Sequence, residues 1–156
     1  MKMKRVAIGF QLVFFCAALA LSHPVVQEEG RFSVAGLDND SEVEGFFISF
    51  KEAIVRRDKK KVASLVSYPI RVNLDSGRRT KIDNAAGFIR AYDRIFDAEF
   101  RRVIARTDVK DLWAKWSGVA MPRGEIWFNG IVKNVRHPER YTIKITAING
   151  PIRSPN

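Results

Sequence analysis

The order of the predicted elements indicates an α+β fold. Apolar residues recur at three- and four-residue spacing over 41–67 and 83–106, as expected of helices with one buried face. A short alternating pattern, typical of a hairpin, separates these two stretches. After residue 106 the chain changes to segments rich in β-branched and aromatic residues, which favour strands. Helices first and strands afterwards predict an α+β domain.

Residues 1–22 have the organisation of a secretory signal peptide. A basic start over 1–5 precedes an apolar run over 6–21, and small residues offer cleavage points near His23. The run is slightly short for a membrane span, which takes about 20 residues. We therefore predict an extracytoplasmic protein, periplasmic or secreted, with no stable membrane span after cleavage. Retention of the segment as an N-terminal anchor is the alternative.

The predicted mature chain is basic and lacks thiols. Cys16 is the only cysteine and lies within the signal, which excludes disulfides, zinc–thiolate sites and a cysteine nucleophile from the rest. Cleavage after residue 22 leaves 24 basic and 17 acidic residues, a net charge of +7. Such a charge favours anionic partners and keeps a protein soluble. The remaining length suits a single domain with its own core.

Residues 23–40 show no sustained periodicity and predict a flexible leader. The domain is expected to begin at Ser41, because Ser41 and Glu44 have the spacing of a capping box at the start of a helix. The apolar stripe of this first helix consists of Phe46, Phe47, Phe50, Ala53 and Ile54.

A second helix and a hairpin follow. Asp58 is expected to cap a short helix over 59–67, which Pro69 ends by favouring extended geometry just before it. The alternation of apolar and polar residues over 70–74 predicts a half-buried strand, with 79–82 returning as the second arm of a hairpin across a turn.

The third helical segment begins at Asp83 or Asn84. Its apolar stripe continues as far as Ile104, so the helix either runs on or breaks and restarts near Asp97. The strands predicted after it cover 112–119, 125–129, 131–135 and 141–148, with a turn at 122–124 and a loop at 134–140. The expected organisation is a signal peptide over 1–22, a leader over 23–40, one domain over 41–150 and a tail over 151–156.

Four segments carry a resemblance to a known fold family. They are Tyr68-Pro-Ile-Arg-Val72, Phe88-Ile-Arg-Ala-Tyr-Asp-Arg-Ile-Phe96, Gly124-Glu-Ile-Trp-Phe128 and Ile145-Thr-Ala-Ile-Asn149. With the element order, they make 41–149 resemble secreted, uncharacterised members of the nuclear transport factor 2-like (cystatin-like) superfamily. The resemblance implies N-terminal helices packed on a strongly curved antiparallel sheet that forms a cone-like cavity. It also implies a homodimer formed through the sheet.

The same superfamily includes isomerases, cyclases, dehydratases and many non-enzymatic binding modules, so the resemblance does not choose among them. Enzymes of this superfamily that use an Asp–His pair need a histidine facing the cavity, but His23 lies at the cleavage site and His137 in a loop. Asp93 is a weak catalytic candidate, because a carboxylate in an apolar cavity can act as a general base. Its position off the apolar stripe favours a solvent-facing salt bridge instead. Asp111 and Glu125 are the other acids considered.

Aromatic and basic residues are the candidate binding residues. Tyr92 lies in an apolar stripe and is expected in the core or lining the cavity. Trp113 and Trp116 are expected on opposite faces of one strand, because their separation is odd. Trp127 is expected on a mixed surface, and Arg71 in the same aromatic and basic region. Core packing is the alternative for each tryptophan.

The sequence therefore predicts a non-enzymatic exported binding module for an unknown small molecule or protein. One alternative is a small-molecule isomerase, cyclase or dehydratase that uses a buried carboxylate. Another is a binder of an anionic polymer or surface, motivated by the basic clusters at 56–61, 78–81 and 101–102. Nucleic acid is disfavoured by the export signal and by acids between these clusters. No cofactor and no metal site is predicted, since histidine, cysteine and carboxylates are not clustered at ligand spacing.

Overall fold

Helices cover one face of a single mixed sheet. The computed structural model describes residues 30–73 and 79–150, and within them four α-helices and six strands form an α+β unit. The predicted signal peptide, residues 23–29 of the leader, the hairpin turn and the tail lie outside the described residues. The elements are α1 Asp40–Val55, α2 Lys59–Ser64, β1 Val66–Asn73, β2 Arg79–Ile82, α3 Ala85–Ile95, α4 Ala98–Arg106, β3 Trp113–Lys115, β4 Gly118–Ala120, β5 Ile126–Val132 and β6 Tyr141–Ile148.

The strand order is β2-β1-β6-β5-β4-β3. All neighbours are antiparallel except β1 and β6, which run parallel. The sheet is therefore mixed, whereas the resemblance implies an antiparallel sheet. The parallel pair is possible because the chain between β1 and β6 supplies the long connection that such a pair requires. The sheet is open, with β2 and β3 at its edges, and it is neither closed nor strongly curled.

Aromatic rings fill the space between the helices and the sheet. Phe96 is the centre of this cluster, with ring centroids 5.1 to 6.3 Å from those of Phe50, Phe88, Tyr92 and Phe100. Two rings of α1 reach the sheet, where the Phe47 and Phe46 centroids lie 6.2 and 5.2 Å from that of Phe128. Burial of each such ring contributes about 1.5–3 kcal/mol. The predicted apolar stripes thus meet in a packed core.

The segment before α1 belongs to the fold. Phe32 and Leu37 are fully buried, and the Arg31 guanidinium donates to the backbone oxygens of Val109, Lys110 and Leu112 at 2.6–3.0 Å. The prediction of a flexible leader is thus wrong for residues 30–40. Local sequence missed this anchoring because the partners of the segment lie some eighty residues further along the chain.

Each α-helix begins at a residue whose side chain caps it, and for α1 this residue differs from the predicted one. The α1 cap is Asn39, whose Oδ1 accepts from the Glu42 amide at 3.2 Å, so the capping box predicted at Ser41 does not form. Asp58 caps α2 as predicted. The third helical segment breaks, and Asp97 starts α4 by accepting from the Phe100 amide at 2.7 Å.

Three predicted element boundaries are also corrected. Helix α2 ends at Ser64, ahead of Pro69, because the Leu65 carbonyl accepts from the Ile145 amide at 2.8 Å and the chain joins the sheet there. The strand predicted over 112–119 is a hairpin, β3 and β4, and the two strands predicted over 125–135 are the single β5. Across the part of the chain that the structure describes, no helix is both long and apolar enough for a membrane span.

Candidate binding face of the sheet

One row of cross-strand partners crosses every strand of the sheet on the face away from the helices. Directly paired residues of neighbouring strands project to the same side. Because strands lie about 4.8 Å apart, the row is about 24 Å long. From β2 to β3 its members are Lys81, Arg71, Ala147, Trp127, Ala120 and Trp113, and we call it the outer row.

The outer row places cations at one end and tryptophans at the other. Val72 and Ile82, the chain neighbours of Arg71 and Lys81, point into the core and are buried, which leaves the two cations on the opposite face. The row thus follows from the alternation that a strand with one buried face requires.

The two tryptophans cover the strand between them. Trp113 and Trp127 lie on β3 and β5, yet their ring centroids are only 5.1 Å apart, with planes at 84°. The rings lean together above Ala120 of β4, which has no solvent exposure although it faces away from the core. This edge-to-face contact is a favoured aromatic geometry.

Backbone hydrogen bonds fix both tryptophans. The Trp113 indole N–H donates to the Met121 carbonyl at 2.9 Å, and the Trp127 indole N–H donates to the Gly124 carbonyl at 3.1 Å. The rings therefore present apolar surface rather than free donors. The Lys115 ammonium lies 4.7 Å from the Trp127 centroid and 5.8 Å from that of Trp113, a cation–π arrangement.

A β-bulge shapes the centre of the face. The register of β5 and β6 shifts between Trp127, paired with Ala147, and Phe128, paired with Ile145. The extra residue is Thr146, and both Thr146 and Ala147 line the outer surface. Bulges commonly re-aim side chains in this way next to functional sites.

Two neighbouring hollows meet at this bulge. One, of about 400 Å³, is lined by Pro69, Arg71, Lys81, Thr146 and Ala147. The other, of about 310 Å³, is lined by Lys115, Ser117, Trp127, Thr146, Ala147 and Asn149. Because they share Thr146 and Ala147, they form one continuous depression, which we call the sheet groove. Its described lining residues include three cations and no carboxylate.

Two of the predicted binding residues lie elsewhere. Trp116 is 82% exposed in the turn between β3 and β4, because β3 ends at Lys115, and the expected arrangement of Trp113 and Trp116 on one strand is wrong. Tyr92 is fully buried in the aromatic core, on the other side of the sheet. Burial raises the pKa of Tyr92, and its hydroxyl has no hydrogen-bond partner among the described residues.

Asp93 lies on the solvent-facing side of α3. Its carboxylate accepts from the Lys59 ammonium at 2.5 Å and pairs with Arg57 at 3.5 Å. The hydrogen bond from Lys59 lowers the pKa of Asp93. This is the solvent-facing salt bridge favoured by the sequence, with Arg57 in the turn after α1 and Lys59 at the start of α2 as partners. The apolar enclosure that raises the pKa of a general base does not surround it.

The other polar candidates serve local structure. Asp111 accepts from the Asp108 amide, and Glu125 is buried in the turn before β5, where it accepts from the Arg123 amide at 3.0 Å. His137 contacts Glu139 in an exposed loop. Over 30–73 and 79–150, no group of three or more histidine, cysteine or carboxylate side chains could hold a metal ion.

Sequence reasoning named three members of this face, Arg71, Trp113 and Trp127, but not their common row. It placed Lys81 only in a basic cluster and did not single out Lys115. The exposed positions of β6, including Thr146, could be found from its alternation of apolar and polar residues. The pairing of β6 with β1 has no local signal, because these two strands lie far apart in the chain.

Comparison with known proteins adds no assignment to this geometry. No protein-family model, curated protein or solved structure matches the chain. The function is therefore inferred from the residues of the sheet groove.

Proposed function

We propose that this chain is an exported binding module that holds its ligand or partner in the sheet groove. The observation that carries the proposal is the outer row, in which Trp113 and Trp127 meet Arg71 and Lys81 across one uninterrupted face. Tryptophan and arginine are the residues that most often dominate binding energy at interfaces.

We propose a non-enzymatic function because the described lining of the sheet groove lacks a pair of residues that could transfer a proton. The described lining of the sheet groove contains no histidine and no carboxylate. Asp93 is ionised and paired at the surface of α3, on a different side of the molecule from the sheet groove. A general acid or base must lie within hydrogen-bond reach of the substrate, and these residues do not meet that requirement.

We also propose a relationship to the nuclear transport factor 2-like superfamily. Two helices, a hairpin, further helices and then a run of strands agree with the order on which the resemblance was based. The sheet is not strongly curled, so the cone-like cavity that the resemblance implies does not support this proposal. The Phe96 cluster fills much of the space under the sheet, and this favours the exposed face as the binding surface.

Export is proposed from the signal-like segment over 1–22. Mass spectrometry of the protein recovered outside the cytoplasm tests it. We expect a chain that begins near residue 23. Retention of residues 1–22 in a membrane fraction would support the N-terminal anchor instead.

Calorimetric titration with a panel of anionic probes tests the binding function. The probes are polygalacturonate, poly-glutamate and phosphatidylglycerol vesicles. We expect at least one to bind, and Trp127→Ala and Arg71→Ala each to weaken that binding about tenfold or more, as for interface hot spots. Trp116→Ala is the matched control, because it removes a more exposed tryptophan outside the sheet groove. Equal effects of the Trp116 and Trp127 variants, or no binding of any probe, would contradict the proposal.

A further inference from the structure

The charge of the sheet groove indicates the charge of its ligand. Arg71 and Lys81 line one hollow and Lys115 lines the other. The Lys81 ammonium forms an ion pair with the Asp83 carboxylate at 2.8 Å, whereas Arg71 has no ion pair with any described residue. Lys115 contacts the two indole rings. Cations in a depression without acids attract anions, so the ligand carries negative charge.

The tryptophan end combines flat apolar surface with polar groups. Both indole N–H groups are already bonded to backbone oxygens, so the rings offer contact area. Ser117, Thr146 and Asn149 line the same hollow as Trp127. The Asn149 amide is bonded to Gly124 and Asn73, and the Thr146 hydroxyl donates to the Trp127 carbonyl at 3.4 Å, which leaves Ser117 and the acceptor side of Thr146 for a ligand. A pyranose ring matches this surface, because its C–H face is apolar and its edge carries hydroxyl groups. Pockets of this kind use a few polar groups to orient a ligand on an apolar wall.

The spacing along the outer row sets the length of the ligand. Trp127 is two strands from Arg71 and three from Lys81, which separates their backbone positions by about 10–14 Å at the usual strand spacing. A short chain of linked sugar rings spans this distance. The Lys115 ammonium adds a cation at the tryptophan end, so acid groups on separate rings find partners at both ends.

A single-stranded nucleic acid fits less well. Successive bases stack on open aromatic faces. Here the planes of Trp113 and Trp127 lie at 84° to each other and Lys115 lies against both, so the two rings do not form parallel platforms for successive bases. A simple anionic amphiphile has no partner for the hydroxyl of Ser117.

We propose that the sheet groove binds an acidic oligosaccharide. One sugar ring lies on Trp127, and carboxylates on separate rings of the oligosaccharide pair with Arg71 and Lys115. This inference rests on the proposed binding function and names the ligand class for the same site.

Calorimetry with a matched pair of sugars tests the ligand class. The full exported protein is titrated with tetragalacturonate and with its neutral methyl ester. We expect the acid to bind at least about tenfold more tightly, because charge-assisted hydrogen bonds are lost in the ester. Binding of the acid weakens as salt rises from about 0.05 to about 0.5 M, since screening shortens the reach of surface charges.

Variants assign the two halves of the site. Trp127→Ala weakens the binding of both the acid and the ester. Arg71→Ala weakens the binding of the acid and leaves the binding of the ester unchanged. Trp116→Ala changes neither. The fold of each variant is checked by its thermal melting temperature, so that a loss of binding is not a loss of structure.

Several results would overturn the inference. Equal affinity for the acid and the ester would show that the cations of the sheet groove do not contribute to binding. Binding of poly-glutamate, an oligothymidylate or anionic vesicles, without binding of either sugar, would reject the ligand class and leave the binding function standing. A dimer that Trp127→Ala dissociates, measured by light scattering, would show that a second copy covers the sheet groove. No binding of any probe would reject both proposals.

Discussion

Two tyrosines, Tyr68 half-buried and Tyr92 fully buried, show how environment decides the chemistry of a residue. The Tyr68 hydroxyl donates to the Ala63 carbonyl at 2.9 Å, while that of Tyr92 has no described partner. Burial raises the pKa of Tyr68 to about 12 and also raises that of Tyr92. Both residues therefore favour the neutral form more strongly in the folded protein than in the unfolded chain.

The fold should lose stability at alkaline pH for this reason. A tyrosine in the unfolded chain releases its proton near the ordinary pKa of 10.0, whereas folded Tyr68 keeps it to about pH 12. Ionisation of this group therefore leaves the free energy of unfolding independent of pH below about pH 10 and lowers it as pH rises to about 12. Urea unfolding between pH 9 and about 12 measures the slope.

Tyr68→Phe and Tyr92→Phe are the matched variants for this measurement. Each should flatten part of the alkaline slope. At neutral pH, Tyr68→Phe should cost about 1 kcal/mol for its lost hydrogen bond, whereas Tyr92→Phe removes an unpartnered hydroxyl and should cost nothing or stabilise. An unchanged slope in both variants would show that neither tyrosine controls the alkaline transition.

At the scale of elements, local signals located most helix starts. Asp58 and the segment near Asn84 were predicted because side-chain caps act over three residues. The strand β6 was predicted because apolar and polar residues alternate along it from Tyr141 to Thr146, before the bulge. Elements that depend on distant partners were missed, such as the segment that Arg31 ties to Leu112.

The start of α1 offers a direct test of the corrected cap. Asn39→Ala removes the side chain that accepts from the Glu42 amide and should lower the free energy of unfolding by about 1 kcal/mol. Ser41→Ala, at the position suggested by sequence, should change stability by less than about 0.5 kcal/mol, as for other exposed sites. Urea unfolding of both variants measures the difference, and the reverse order would restore the cap to Ser41.

At the scale of the whole molecule, the aromatic core and the outer row are two sides of one sheet. Sequence patterns showed which residues are apolar, but not that Phe128 faces the helices while Trp127, its neighbour, faces away. The row from Lys81 to Trp113 depends on five strand pairings, and one of them, β1 with β6, joins distant segments of the chain. Arg71, Trp113 and Trp127 could therefore be predicted as parts of one aromatic and basic surface, but not as members of one row.

A packed interior predicts a large cost for removing its central ring. Phe96→Ala should lower the free energy of unfolding by about 3–5 kcal/mol, because four neighbouring rings lose their contacts. Trp116→Ala should stay within about 0.5 kcal/mol, as expected of an exposed side chain. Chemical unfolding measures both. A cost near 1 kcal/mol for Phe96→Ala would instead indicate a loosely filled interior.

The location of the binding surface is the central claim, and the tryptophan indole N–H signals in an NMR titration test it most directly. The chain has three tryptophans, so each reports its own position. As the tightest-binding anion of the panel is added, the signals of Trp113 and Trp127 should shift together while that of Trp116 stays in place. Shifts confined to Trp116, or to groups of the Phe96 core, would contradict the account.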